Sequence, residues 1–600
     1  MACASPFKSG LLVFFSLLFA VSALFGCAQQ PSVQDSSAPV ASAESDADED
    51  DDERPPPSAR QAVPDSLPPL PSNELTQGLL YEFLLAEIAG QRGNVGVAAQ
   101  TYTDLAKRTR DPRIARRATE IAVFARMNST AVEAARVWRE TDPKSPRALQ
   151  ILSTLLVTTG RLQEAETHLK ALLSSDPASV GGAFSQLGRT LAAAQNKEAA
   201  LALMQKLALG YEQVAQSHYA VAQSATAADQ NDLALKEVRQ ARQLRPEWEA
   251  AVLLESQLLQ KTSGQEALAS LSKYLQSYPN AREIRLNYAR LLVSEKRFPD
   301  ARAEFQKLLA DFPGNTEVVY AVALLSVQLN DYAVAETNLR RLLDMDYRDK
   351  DTIRLYLGQV SEEQNKVPEA LKWYQSIESG EQFIPARIRN AQLLAKQGKL
   401  EEARDTLRQL QGNGGPQRVQ LVLAEAQLLR DASRETEAFE VVGKALDAQP
   451  EQPDLLYDYA MLAERIDKID VLETSLRKLI KLKPDFAHAY NALGYSLADR
   501  NQRLGEAQEL VEQALKLAPD DLFIVDSMGW VFYRQGRLGE AVQWLRRAYS
   551  GRPDPEIAAH LGEVLWVNGN WGEAEKVWRD ASDKTPNNDT LQKTIKKFKP

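Results

Sequence analysis

From Val525 to Pro553 the chain reads VDSMGWVFYRQGRLGEAVQWLRRAYSGRP, with apolar positions at helical spacing on both sides of a polar turn. Met528, Gly529 and Phe532 share one face of a first predicted helix, and Ala541, Leu545 and Ala548 share one face of a second. Gly529 and Ala541 are small enough to let two helix backbones approach closely. Gly536 suits the tight turn between the helices, and Pro553 ends the second one. Such a hairpin has an apolar side that it cannot cover alone, so the pattern predicts stacking of like units.

The unit returns every 33 to 35 residues. It reads LGEAQELVEQALKLAP over Leu504 to Pro519, LGEAVQWLRRAYSGRP over Leu538 to Pro553 and WGEAEKVWRDASDKTP over Trp571 to Pro586. The anchoring alanines are Ala507, Ala541 and Ala574. Upstream the same register holds Ala165, Ala199, Ala234, Ala267, Ala301, Ala335, Ala370, Ala403 and Ala438, with Leu472 in the place once. Ala98 and either Ala131 or Ala134 continue it. Prolines keep the same beat at Pro143, Pro177, Pro246, Pro279, Pro313, Pro450, Pro484, Pro519, Pro553 and Pro586. A fixed period of this length specifies an array of one small helical unit rather than a globular enzyme.

A small residue after a large apolar one, an aromatic three on, two alanines and then a proline resemble the tetratricopeptide repeat. The resemblance covers roughly residues 75–590. It is close from 485 to 586 and looser from 75 to 480, where the first-helix glycine is mostly absent. It implies an all-α superhelical solenoid of about 13–15 helical hairpins. The expected organisation is a signal peptide at 1–26, a tether at 27–73, divergent repeats at 74–484, well-matched repeats at 485–587 and a capping tail at 588–600.

Composition agrees with a helical body: charged residues make up 25% of the chain. The net charge is −10, with −8 in 27–73 and +1 in 1–26, which leaves −3 for 74–600. A body this balanced argues against nucleic acid as its partner.

The amino terminus carries the address. Residues 11–25, LLVFFSLLFAVSALF, follow a single Lys8 and suit a secretory signal. The run ends in LFGC, Leu24 to Cys27, which resembles a bacterial lipobox. That resemblance implies cleavage before Cys27, lipidation of Cys27 and attachment to a membrane through the lipid. An uncleaved anchor or a plain signal peptide is the other reading. Ala28 in place of an aspartate implies the outer membrane, facing the periplasm. Residues 27–73 are acidic, Pro- and Ser-rich and lack the apolar residues a core needs. They read as a flexible tether with a span of roughly 40 Å, the acidic run Asp46 to Glu53 having Ca²⁺ or a basic partner as its alternative role.

No catalytic constellation appears in the body. The four histidines, His168, His218, His488 and His560, are far apart and none has a partner at metal-ligand spacing. The two cysteines, Cys3 and Cys27, both lie outside the repeats. The stretch QGNGGPQ at 411–417 is Gly-rich but lacks the Lys-Ser/Thr of a phosphate loop, and reads as a long turn. Glu401 and Glu402 sit at a helix start, where the dipole favours them. The sequence therefore predicts no enzyme, no metal, no cofactor and no small-molecule substrate.

Two surfaces are candidates for binding proteins. One is the first-helix stripe away from the packing face: Asn491, Tyr495 and Ala498; Asp526, Trp530 and Tyr533; Ala559, Glu563 and Trp566. Aromatics mixed with polar groups suit a binding hot spot if exposed. The alternative is internal packing, with Trp566 sealing the last groove beneath the C-terminal helix, Trp571 and Trp578 inside the repeat and Trp544 covering a neighbouring helix. The second candidate is the basic run Lys107, Arg108, Arg110, Arg113, Arg116 and Arg117, which fits an acidic protein, lipid head groups or a polyanion, or else a solvated helix face.

The LFGCAQ motif, the acidic tether and repeats ending NALGYSLADRNQRLGEA…DSMGWVFYRQGRLGEA resemble a family of outer-membrane lipoproteins that partner a carboxyl-terminal processing protease in some Gram-negative bacteria. The resemblance implies a scaffold that binds that periplasmic protease and its substrates, peptidoglycan hydrolases, and so promotes their degradation. The alternative is a scaffold of an envelope secretion or exopolysaccharide-export complex.

Overall fold

The computed structural model describes residues 70–599 apart from 176–178, 193 and 411–415. The signal segment, Cys27, the tether up to residue 69, Pro177 and most of the Gly-rich stretch lie outside these residues. Pro416 and Gln417, read above as part of a long turn, instead open the helix Pro416–Asp431. The described residues form 31 α-helices and no strand: fifteen hairpins from Gln77 to Lys584, then a last helix, Asp589–Phe598. The body divides into two compact units, one running to Leu325 and the other starting at Ser326.

One position organises every hairpin. The fourth residue of each second helix is the anchor of the repeat: Ala98, Ala131, Ala165, Ala234 and so on to Ala574, each fully buried. This choice fixes Ala131, rather than Ala134, as the anchor of its hairpin. It also corrects the register at Ala199. Helix Lys197–Ala208 puts Ala200 in the anchor position and leaves Ala199 partly exposed. The turn before that helix is one residue longer than its neighbours' turns, which moves the register along by one.

In ten of the fifteen hairpins the first helix carries a small residue at its eighth place, opposite the anchor; Leu84, Leu187, Leu357, Asn390 and Leu423 take that place in the others. Gly494, Gly529 and Gly562 hold it in the last three hairpins. Where the sequence lacks glycine, Thr119, Ser153, Ala222, Ser256 and Ala289 stand in the same place, all buried. Contact is close enough that a methyl on Gly529 would come within 2.6 Å of Leu545 Cγ, and one on Gly494 within 2.7 Å of Val511 Cγ2. The turn between the helices closes with a left-handed residue. Gly536 takes φ +79°, its N–H donating to Tyr533 O (2.9 Å) and that of Arg537 to Phe532 O (2.9 Å).

Hairpins then share cores. In the second unit one continuous apolar cluster runs from Val419 to Leu591, and Ile595 and Phe598 of the last helix pack on it. That helix covers the apolar face that the final hairpin would otherwise leave open. Consecutive second helices are linked by charge. Arg136 pairs with Glu164 (2.7 Å), Arg503 with Glu473 and Arg546 with Glu573 (2.6 Å). The hydrogen bond from Arg503, ahead of one from Arg477, holds the Glu473 carboxyl down at about 2. Pairs this exposed contribute about 0.2–1 kcal/mol each, and they account for the near-neutral body.

Gly529→Ala should lower the stability of the C-terminal hairpins by about 1–3 kcal/mol, because Leu545 cannot yield without disturbing the anchor contact. Gly539→Ala, where an added methyl meets open space, is the control and should not destabilise. Urea unfolding followed by far-UV circular dichroism measures both.

Candidate interaction surface

Consecutive first helices in the last three hairpins touch one another as well as their own partners. The stripe Asn491, Tyr495, Ala498, Asp526, Trp530, Tyr533, Ala559, Glu563 and Trp566 lies at these contacts. Of its two readings, an exposed binding stripe and internal packing, the structure shows packing. Asn491, Tyr495, Ala498, Asp526, Trp530, Ala559 and Glu563 are buried, Trp530 to 4%, and Tyr533 and Trp566 are half-buried. Side chains from neighbouring first helices meet across the inner layer, so the large aromatics fill the space rather than line it.

The contacts are polar and directional. Trp530 Nε1 donates to Asp499 Oδ1 (3.2 Å), and Arg534 donates to the carbonyls of Ala498 (3.0 Å) and Asp499 (2.7 Å). These bonds join helix Leu522–Arg534 to helix Ala487–Asp499. Tyr533 Oη donates to Glu563 Oε1 (3.1 Å), and Lys597 Nζ donates to the same oxygen (2.9 Å). Burial, and then the Glu563 carboxylate, push the Tyr533 hydroxyl up to about 12. His560 Nδ1 lies 2.8 Å from Asp526 Oδ2, and its Nε2 lies 3.3 Å from Tyr495 Oη, two hairpins back. Its ring stacks on Trp530 at 4.3 Å.

The other tryptophans divide. Trp578 is buried, and its ring clusters with those of Trp566 (5.7 Å) and Phe598 of the last helix (6.1 Å), the latter two 6.4 Å apart. Trp544 is half-buried beside Phe532. Trp571, expected inside the repeat, is 60% exposed. It is the first residue of its helix, one turn short of the packed face.

Of the two readings of the basic run, the structure fits the solvated helix face. Each of its six side chains has a carboxylate partner: Lys107 with Glu133 (2.6 Å), Arg108 with Glu82, Arg110 with Glu140 (2.5 Å), Arg113 with Asp111 (2.7 Å), Arg116 with Glu120 (3.0 Å) and Arg117 with Glu87 (3.9 Å). The carboxylates come mostly from neighbouring helices, which linear charge counting cannot see. The run is a neutralised outer surface and not a concentrated positive patch.

The structure exposes a different surface, which the sequence reading missed. Helix Gln77–Gln91 is apolar on two faces. Leu79, Ala86 and Ala89 turn inward, while Leu80, Tyr81, Leu84, Leu85 and Ile88 are exposed. Its two acids are drawn to the rim, Glu82 to Arg108 and Glu87 to Tyr102. The outward face therefore carries no charge. The signal was present in QGLLYEFLLAEIAGQ, which has more apolar residues than one packing face requires. His560, Asp499 and Arg534 were also missed. The one hint was Asp526, an acid at a packed place in DSMGWVFYR.

Among the described residues no group of three or more His, Cys, Asp or Glu side chains could hold a metal ion, and no helix is long and apolar enough to cross a membrane.

The family match and the 35% identical relative agree with this architecture. The tetratricopeptide-repeat family matches residues 258–325, 320–382, 388–466, 487–521 and 527–547. The chain is 35% identical over 560 residues to a TPR repeat-containing protein of Pseudomonas aeruginosa, covering 90% of this chain and 92% of that one. It is 23% identical over 288 residues to cellulose synthase operon protein C of Pseudomonas fluorescens, covering 45% of this chain and 22% of that one. Among solved structures, the APC/C hetero-tetramer Cut9–Hcn1 aligns at 16% identity and TM-score 0.28, over 88% of this chain and 97% of that one. A thermophilic TPR protein of Thermus thermophilus aligns at 21% identity and TM-score 0.28, over 30% of this chain and 97% of that one.

Trp530→Ala should cost about 3–5 kcal/mol of stability, as for a buried aromatic, rather than only weakening a partner. A variant of unchanged stability in urea unfolding would mean that the indole is not packed as described.

Proposed function

The chain belongs to the tetratricopeptide-repeat family, and from that premise we propose an adaptor role in the bacterial envelope. Such arrays are protein-interaction scaffolds, generally without catalysis of their own. In this reading Cys27 is lipidated and holds the chain on the periplasmic side of the outer membrane. The tether 27–73 gives the helical body reach. The body binds a periplasmic carboxyl-terminal processing protease and brings it peptidoglycan hydrolases as substrates, promoting their proteolysis.

The observation that carries protein binding is the charge-free outward face of helix Gln77–Gln91. Exposed apolar side chains in this number mark a docking surface. The preceding tether is too rich in proline and acid to supply an apolar cover. The class of partner rests on the resemblance of the lipidation motif, tether and terminal repeats to the protease-partner lipoproteins. Similarity to cellulose synthase operon protein C favours a second reading, a scaffold of an exopolysaccharide-export complex. Two proteins held on one scaffold gain effective concentration in the millimolar range, roughly, on short tethers, which is how an adaptor without an active site raises a rate.

Affinity capture from envelope extract with the Cys27→Ala chain should recover a serine protease and cell-wall hydrolases. Recovery of export or secretin components instead would support the second reading. The same substitution should remove the protein from the outer-membrane fraction, and continued sedimentation with the outer membrane would refute lipidation. The double variant Leu84→Glu, Ile88→Glu alters only the outward face. It should weaken capture of the protease by at least about tenfold with helicity unchanged; capture at wild-type level would remove that face from the binding surface.

A further inference from the structure

We propose that His560 is a protonation-dependent latch holding together the first helices of the last three hairpins. The helices are Ala487–Asp499, Leu522–Arg534 and Pro555–Val567. Neighbouring pairs among them have their own polar ties, Trp530 to Asp499 and Tyr533 to Glu563. His560 touches both of the other helices, Asp526 at 2.8 Å and Tyr495 at 3.3 Å.

The Asp526 carboxylate makes the latch sensitive to charge. It is 6% exposed, and its second oxygen meets no donor among the described residues. Arg534, the cation on the same helix, is committed to the carbonyls of Ala498 and Asp499. Lys597 is committed to Glu563. His560 is therefore the group placed to compensate Asp526. A neutral ring donates one hydrogen bond to it, whereas an imidazolium adds an ion pair in a poorly hydrated setting. Tyr495 permits either state, because its hydroxyl can donate to a bare Nε2 or accept from a protonated one. The indole of Trp530, stacked on the ring at 4.3 Å, also favours a cation.

Two further carboxylates push the same way, Glu556 on its own helix and Asp499 from helix Ala487–Asp499. Glu563 on the same helix is paired with Lys597, and Tyr533 beside Trp530 stays neutral. Burial works against the charged ring, but Asp526, then Glu556 and Asp499, outweigh it, and the His560 pKa lies above its ordinary value. The sign follows. The folded state holds the proton more tightly than the unfolded one, so the stabilisation is fully present below about pH 6.5 and is lost as pH rises through the folded value. The inner layer of the last three hairpins is thus tightened by acid and loosened by base, without any change in the anchor contacts.

Hydrogen exchange of the full chain tests this, reading peptides within 487–567 at pH 5.5 and 8.5 with correction for intrinsic rates. The wild-type protein should open these peptides about tenfold more often at pH 8.5. His560→Gln should abolish the difference, and so should Asp526→Asn, which keeps the shape and serves if the first variant fails to fold. His488→Gln, in the same segment but half exposed and 3.9 Å from Asp521, should retain it. A pH-independent wild type, a difference that persists in Asp526→Asn, or one that vanishes in His488→Gln would overturn the latch.

Discussion

Everything in this body depends on how closely two helices of a hairpin can approach. A buried anchor at the fourth place of the second helix faces, in ten of the fifteen hairpins, a small residue at the eighth place of the first, and there the backbones meet closely. Once that contact is made, each hairpin is a rigid wedge with apolar sides left over. Burial of those sides against the next wedge supplies the stability that a single pair of short helices lacks. Leu472, standing alone in place of the alanine, is fully packed as well, so the requirement is a buried apolar anchor whose partner yields the space.

The two layers handle polarity differently. On the outer layer, arginine and glutamate from consecutive second helices pair in water, each weakly, and neutralise one another. On the inner layer of the C-terminal hairpins the polar groups are mostly buried and committed to specific partners across helices. There a missing partner leaves a desolvated group, which is costly. The inner network therefore specifies how neighbouring hairpins sit, and the outer pairs do little beyond solubility. The same difference separates the two surfaces first read as binding sites. The aromatic stripe is packing, and the basic run is a neutralised face. The exposed apolar helix at the start of the body is where unspent hydrophobic surface remains for a partner.

The proposed adaptor role needs a place to hold partners and a way to be in the right compartment. In that reading the apolar first helix and the proposed lipidation motif lie on either side of the acidic segment. That order lets the anchor, the reach and the docking face be tuned separately, because none of them shares residues with the hairpin cores.

The hairpin count, the helical class and the anchor positions were legible in the chain because they repeat. A spacing of 33 to 35 residues makes each unit a check on the others, and only Ala199 slipped, where one turn gained a residue. What repetition could not reveal is which faces meet. Tyr495 and His560 are 65 residues apart, and no local pattern brings them together; nor does it show that Arg108 finds Glu82 or that Trp530 is covered. Helical period says which side chains share a face, and hydrophobicity says that the face seeks a partner. Whether that partner is the next hairpin or another protein is decided by the tertiary stack, because burial belongs to the neighbours a residue acquires and not to the residue itself.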